Sequence, residues 1–290
     1  MHFVNAKGIL NGGGGHYGMN IYRGCSHGCI YCDSRSNCYQ FDHPFEDIEV
    51  KANAPDLLEK ALRTKRRRCM IGTGSMSDPY MHCEEKLKLT RRCLEIILNN
   101  GFGAAIQTKS DRILRDIDLL DSINRSAKCL VQITLTTYSD ELCKILEPNV
   151  CSTKKRIDVL EKMHERGIPT IVWLTPILPF INDNEENVSS ILNECARVGV
   201  KGIIDFGMGL TLRDGSREYY YAALDRYFPG MKERYIKQYG NSYELPSPKS
   251  TELIRLMRKI CEKNGIMSNS EDCFRYMNDL PEPYKQISLF

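Results

Sequence analysis

The chain has only one tryptophan among 290 residues, no apolar run approaching a membrane span and no strong excess of either charge. Each scarcity excludes something. Without a long apolar run no transmembrane helix is expected, and residues 1–11 lack the apolar stretch of a secretory leader. Forty Lys and Arg against 37 Asp and Glu give a formal net charge of +3, which permits a nucleic-acid partner without demanding one. No internal repeat appears, and the tetraglycine at 12–15 is not followed by the Gly-Lys-Ser/Thr of a phosphate loop, so it reads as a turn. What the chain does have is cysteine: thirteen residues, many for this length and not spaced as a secreted disulfide framework. A reduced, cytoplasmic protein is expected.

Three of the cysteines, Cys25, Cys29 and Cys32, stand as C-x3-C-x2-C within one glycine-containing loop, with Tyr31 before the last. One short loop can thus present three thiolates to a single metal centre. Three ligands rather than four would leave one iron of a cubane open to another ligand. The glycines supply the backbone freedom that a wrapping loop needs. A structural zinc knuckle is the other reading, with His27 or Cys38 as the fourth ligand, although zinc sites usually read as paired C-x2-C units. Cys69, Cys93, Cys129 and Cys195 lie in apolar or helical context and read as small buried hydrophobes. The remaining six form no second triplet, so no auxiliary cluster is expected.

The stretch Tyr22-Arg23-Gly24-Cys25-Ser26-His27-Gly28-Cys29-Ile30-Tyr31-Cys32 resembles the cluster loop of radical S-adenosylmethionine (SAM) enzymes. The resemblance implies a [4Fe–4S] cluster on Cys25, Cys29 and Cys32, with Tyr31 among the cofactor-binding candidates. It also implies SAM chelated at the open iron, reductive cleavage to a 5′-deoxyadenosyl radical, and a flavodoxin or ferredoxin as reductant.

Downstream, helix-like and strand-like segments alternate. Helices are expected over 56–68, 84–100, 111–122, 154–166 and 185–198, and strands over 69–72, 104–108, 129–135, 170–174 and 202–206. Short apolar strands between helices imply a parallel sheet covered by helices. With the cysteine loop after the first strand, the count favours an α/β fold, a partial (β/α)6 TIM-like barrel of the radical SAM type with a C-terminal helical extension. The chain then divides into an N-terminal segment (1–16), the barrel (17–212), a helical, aromatic and basic region (213–280) and a tail (281–290). In the third of these, seven tyrosines between 219 and 243 mix with Arg and Lys. Aromatics among cations can stack on bases and contact phosphates; equally, amphipathic helices can use such tyrosines to cover the barrel mouth. A last helix is expected over 250–264.

Two further segments, Gly72-Thr73-Gly74-Ser75-Met76-Ser77-Asp78-Pro79-Tyr80 and Ile106-Gln107-Thr108-Lys109-Ser110-Asp111, are similar to those of the spore photoproduct lyase-like group, whose named member repairs a UV-made thymine dimer in DNA. The resemblance covers about 17–212. It implies SAM contacts for Ser77 and Lys109, with Thr134 as a further candidate at the end of the fourth strand. A solvated lysine in a βα loop is the plainer reading of Lys109. The lyase carries a cysteine hydrogen-atom donor where this chain aligns Ser75, and a tyrosine where it has Asp33. The resemblance therefore implies radical initiation and leaves the hydrogen-return step unassigned. Asp33 and Ser75 are the candidate catalytic residues, with Asp33 a substrate contact, a base or a helix cap.

The tail Gln286-Ile287-Ser288-Leu289-Phe290 resembles the pentapeptide by which bacterial replication and repair proteins dock on the DNA sliding clamp; a tail folded against the body is the alternative. Together these features point to a radical SAM enzyme acting on nucleic acid, DNA first. One rival is radical SAM modification of a peptide, protein or RNA. The other is a non-enzymatic iron–sulfur or zinc protein that binds nucleic acid.

Overall fold

The computed structural model describes residues 1–13 and 15–281; the pentapeptide 286–290 lies outside them. The strands are β1 (His2–Val4), β2 (Leu10–Gly13), β3 (His16–Met19), β4 (Tyr22–Arg23), β5 (Glu49–Lys51), β6 (Met70–Thr73), β7 (Gly103–Thr108), β8 (Cys129–Thr134), β9 (Thr170–Trp173), β10 (Gly202–Ile204), β11 (Gly209–Thr211) and β12 (Glu244–Pro246). The helices are α1 (Ala54–Arg63), α2 (Glu84–Leu87), α3 (Leu89–Asn99), α4 (Ile117–Ser126), α5 (Asp140–Leu146), α6 (Thr153–Glu165), α7 (Glu185–Arg197), α8 (Ser216–Tyr227), α9 (Met231–Tyr239), α10 (Ser250–Lys263) and α11 (Ser270–Asn278).

Strands β3, β6, β7, β8, β9 and β10 pair in parallel in chain order, and β2 adds an antiparallel edge beside β3. This is the six-unit partial barrel expected. It is not closed, since among the described residues β10 and β2 have no partner across the gap. Strand alternation divides the side chains between two cores. Ala104, Ile106, Val131, Ile133 and Val172 face the helices. Met70, Ala105, Leu130, Ile171 and Ile204 face the lumen, where α11 packs Cys273 and Met277 against them. A third apolar cluster joins Cys29, Ile30 and Tyr31 of the cysteine loop to α8 and α9 through Tyr220, Leu224 and Tyr235. Tyr220 and Tyr235 are buried, with Tyr220 donating to Tyr235 and Tyr235 to the Pro179 carbonyl. These two tyrosines therefore cover the barrel, whereas Tyr227 and Tyr243 stay exposed.

Helix starts follow their caps. Ser139, Ser152, Asn184 and Asn269 each accept a backbone N–H at the start of α5, α6, α7 and α11. The helix expected over 84–100 is interrupted at Lys88, whose backbone is left-handed at φ 51°. The cause is Glu84, buried in the first turn, whose carboxylate accepts from the N–H of Thr90 at 3.0 Å and is also held by Tyr22 and Arg115. The helix expected from 111 begins as a 3₁₀ turn over Asp111–Asp116 before α4. All thirteen cysteines are free, and Cys69, Cys93, Cys129 and Cys195 are buried as expected.

Candidate active site

The cysteine loop leaves β4 through Gly24 and is pinned from both sides. The N–H of Cys25 donates to the Phe45 carbonyl at 3.1 Å, and that of Ile30 to the Leu146 carbonyl at the end of α5 at 3.0 Å. Asn149 grips the middle of the loop: its N–H donates to the His27 carbonyl, and its amide to the Ser26 carbonyl at 2.9 Å. Gly28 has φ +71°, and a Cβ there would meet Pro148 at 3.2 Å and Asn149 at 3.3 Å. Glycine is thus required twice, for the left-handed backbone and for the close approach.

Burial pushes the Cys25 thiol up to about 12 and the Cys29 thiol well above its ordinary value. Such thiols ionise only against a cation, and metal binding supplies it. Three free thiols on one short loop, beside a cavity that Cys32 lines, fit the three protein ligands of an iron–sulfur cluster with one iron left open.

Lys109 follows β7, its N–H donating to Asp78 at 2.7 Å. Burial alone would lower the lysine, but negative charge on Cys29, as the thiolate, and on the Glu147 carboxylate outweighs it and holds it above its usual value. Asp78 also accepts from the Tyr80 N–H and the Thr108 hydroxyl, and lies 3.5 Å from His27 Nδ1. One buried carboxylate thus ties the ends of β6 and β7 to the cysteine loop. Below them Glu147 and Arg156, both fully buried, form an ion pair. Glu147 accepts from the Tyr31 hydroxyl, and Arg156 donates to the Thr134 carbonyl at 2.8 Å. The net effect on Glu147 is a lowered pKa: burial opposes ionisation, while Arg156, Lys109 and Tyr31 more than offset it.

A cavity of about 560 Å³ opens beside the loop, lined by Tyr31, Cys32, Asp33, Ser75, Lys109 and Phe206 among others. Four of the expected site residues, Tyr31, Asp33, Ser75 and Lys109, therefore meet around one space with Cys32. A second cavity of about 480 Å³ occupies the lumen, with Gln107, Gln132, Trp173 and Phe274 in its wall, and shares Ser75 with the first. Ser77 lies elsewhere, in the wall of a smaller cavity of about 160 Å³ beside Arg23 and Tyr39. Thr134 is buried in neither wall, its hydroxyl without a partner. Asp33 opens a 3₁₀ turn and is already engaged, accepting from Tyr39 at 3.0 Å and lying 3.5 Å from Arg213. Sequence reasoning missed Asp78 as an organiser, and Glu147 and Arg156 altogether. The acid of the Ser-Asp-Pro turn was the one available signal.

Residues 19–194 match the model of the radical SAM superfamily. An uncharacterized protein of Mycobacterium tuberculosis is 29% identical over 245 residues, covering 82% of this chain and 71% of that one. An uncharacterized protein of Methanocaldococcus jannaschii is 35% identical over 174 residues, 59% of this chain and 64% of the other. Spore photoproduct lyase, solved with a dinucleoside spore photoproduct, shares the fold at a TM-score of 0.65 and 16% identity, over 87% of this chain and 75% of that one. The match spans more than half of the chain, and its cysteine loop fits the family's [4Fe–4S] cluster: the protein belongs to the radical SAM superfamily, enzymes that work with that cluster and SAM.

Proposed function

We propose that this radical SAM enzyme acts on nucleic acid, with DNA the preferred substrate. The observation that carries the reading is that two cavities share Ser75 in their walls, one beside the cysteine loop and one lined by amides and aromatics. Cys25, Cys29 and Cys32 hold the cluster in this reading. Lys109, Tyr31 and the loop around Asp33 shape the SAM space, and the lysine supplies a point charge for a carboxylate. The cofactors together supply a carbon radical able to take a hydrogen atom from substrate.

The second cavity suits a base taken out of its stack. Trp173 donates from Nε1 to Gln132 Oε1 at 2.8 Å, which fixes the amide's orientation and leaves its NH₂ free to donate. Gln107 offers a second amide in the same wall. Trp173 packs against Phe206 and Phe274 with ring centroids 5.7 and 5.9 Å apart, and Phe206, 62% exposed, lines the first cavity. An extruded base is read by this combination of polar edge contacts and stacking. The DNA-lesion ligand of spore photoproduct lyase favours DNA over RNA or peptide.

The test is anaerobic SAM cleavage by the reconstituted, reduced protein, following 5′-deoxyadenosine without DNA, with intact DNA and with UV-irradiated DNA. Stimulation by either DNA supports the reading. Cleavage indifferent to both, but stimulated by RNA or peptide, overturns it.

A further inference from the structure

The parallel pairing of β1 with β5 sets His2 directly opposite Glu49, and the segment that returns from the cysteine loop lays His43 beside them. The His2 and His43 rings stand edge to face with centroids 4.9 Å apart. His43 Nε2 lies 3.9 Å from Glu49 Oε2. One donor atom from each of the three residues falls within 4.8 Å of the other two, and among the described residues no other group of three His, Cys, Asp or Glu does so. We propose that His2, His43 and Glu49 form a binding site for a divalent transition-metal ion of the zinc class, separate from the cysteine loop.

The outer hydrogen bonds decide which nitrogen is available. His43 Nδ1 lies 3.0 Å from the Pro44 carbonyl, which can only accept, so in the neutral ring the proton sits on Nδ1 and Nε2 carries the lone pair. That Nε2 is buried and has no hydrogen-bond partner among the described residues. The Asp42 and Glu49 oxygens, at 3.8 and 3.9 Å, are too distant to bond it. His2 repeats the arrangement, with Nδ1 donating to Asp47 Oδ2 at 3.0 Å and Nε2 left free. A carboxylate or carbonyl on one ring nitrogen and a metal on the other is how ligating histidines are oriented. Arg23 is the local competitor, its Nη1 3.8 Å from Glu49 Oε2. Its Nη2 is committed elsewhere, to the carbonyls of Tyr39 and Gln40 at 2.9 and 2.8 Å.

Two imidazoles and a carboxylate suit zinc, which takes three such protein ligands and a water. Tetrahedral ligands about 2.1 Å from the ion stand roughly 3.4 Å from one another, so donors now within 4.8 Å close by about 1.4 Å at most. The place explains what an ion would do. Phe45, two residues beyond His43, accepts the N–H of Cys25 through its carbonyl. An ion clasping β1, β5 and His43 would fix that carbonyl under the first cysteine of the loop.

The experiment uses the full chain with its cluster reconstituted anaerobically, passed over chelating resin and titrated with Co²⁺ followed by ligand-field absorption. The expected result is one Co²⁺ per chain, displaced by Zn²⁺. The affinity should fall at least 100-fold in His43→Gln and about 10- to 100-fold in Asp47→Asn, the outer-shell range, with iron and sulfide content unchanged. His2→Gln, with a side chain 40% exposed, should repeat the loss without endangering the fold. Equal Co²⁺ affinity in wild type and all three variants would overturn the proposal. So would Co²⁺ binding that disappears with Cys29→Ala and survives His43→Gln.

Discussion

Replacing Glu147 by Gln keeps the shape of the side chain and removes one charge of a pair that is fully buried on both sides. Arg156 is then left as a cation with no exposed surface, its remaining partners being the Thr134 carbonyl and the Cys143 sulfur. Breaking such a pair by removing one member costs about 3–5 kcal/mol, mostly as the penalty of the stranded charge. For a chain of this size each kcal/mol is worth roughly 2–4 °C, so the midpoint should fall by roughly 6–20 °C. Thermal unfolding of the reduced chain, followed by circular dichroism, measures it. The double variant Glu147→Gln/Arg156→Met removes the stranded cation and should recover at least half of the loss.

The pH dependence has a defined sign. Glu147 is held below its ordinary pKa, so its contribution is present above the unfolded value of about 4.3 and is lost as pH falls through the lower folded value. The gap between wild type and Glu147→Gln should therefore be constant near neutrality and narrow below about pH 4. A single variant within about 1 kcal/mol of wild type, or a double variant no better than the single, would refute the assignment of this pair as a buried anchor of the loop.

Cys29→Ala should reduce iron to background in anaerobic reconstitution and abolish 5′-deoxyadenosine formation; SAM cleavage surviving that change would disprove the ligand assignment. Lys109→Met removes one charge-assisted contact, worth about 1.5–3 kcal/mol, and should weaken SAM binding about 10- to 100-fold in equilibrium dialysis while cluster absorbance persists. Gly28→Ala forces a side chain into a left-handed position against Pro148 and should cost about 1–3 kcal/mol, read as a lower unfolding midpoint and slower cluster assembly.

The parts of the fold that could be read from the sequence are those with local causes. Each barrel strand is a short apolar run between polar helices, and that pattern alone implies β6 through β10 in parallel. The small sheet β1–β5–β4 has no such cause. Its strands are only two or three residues long, and β1 finds β5 across more than forty intervening positions. Its composition resembles that of any loop. The helix α11 was missed for a related reason: it follows Gly265, where the last expected helix ends, and its role appears only when Cys273 and Met277 fill an open lumen. The break at Lys88 has its origin in Glu84, whose carboxylate looks solvated in sequence and is buried in the structure.

The site divides along the same line. Cysteine announces a metal centre by type and spacing, and Lys109 draws attention through a family resemblance; the structure sets Cys32 and Lys109 around one cavity. Glu147 and Arg156 carry no motif; Arg156 reads as one more cation on an exposed helix face, and only burial turns it into the partner of a carboxylate under the loop. His2, His43 and Glu49 extend the point, because three unremarkable residues become a set of donors only once β1 pairs with β5. The cysteine loop is consequently held from two directions by groups that its motif does not mention. From α5 it is held by the Leu146 carbonyl on the N–H of Ile30 and by Glu147 on Tyr31. From the β4–β5 segment it is held by the Phe45 carbonyl on the N–H of Cys25. Loss of the buried pair should alter cluster assembly without touching a ligand, whereas changes at the imidazole cluster leave the iron content as it is, so each support can be tested apart from the cysteines themselves.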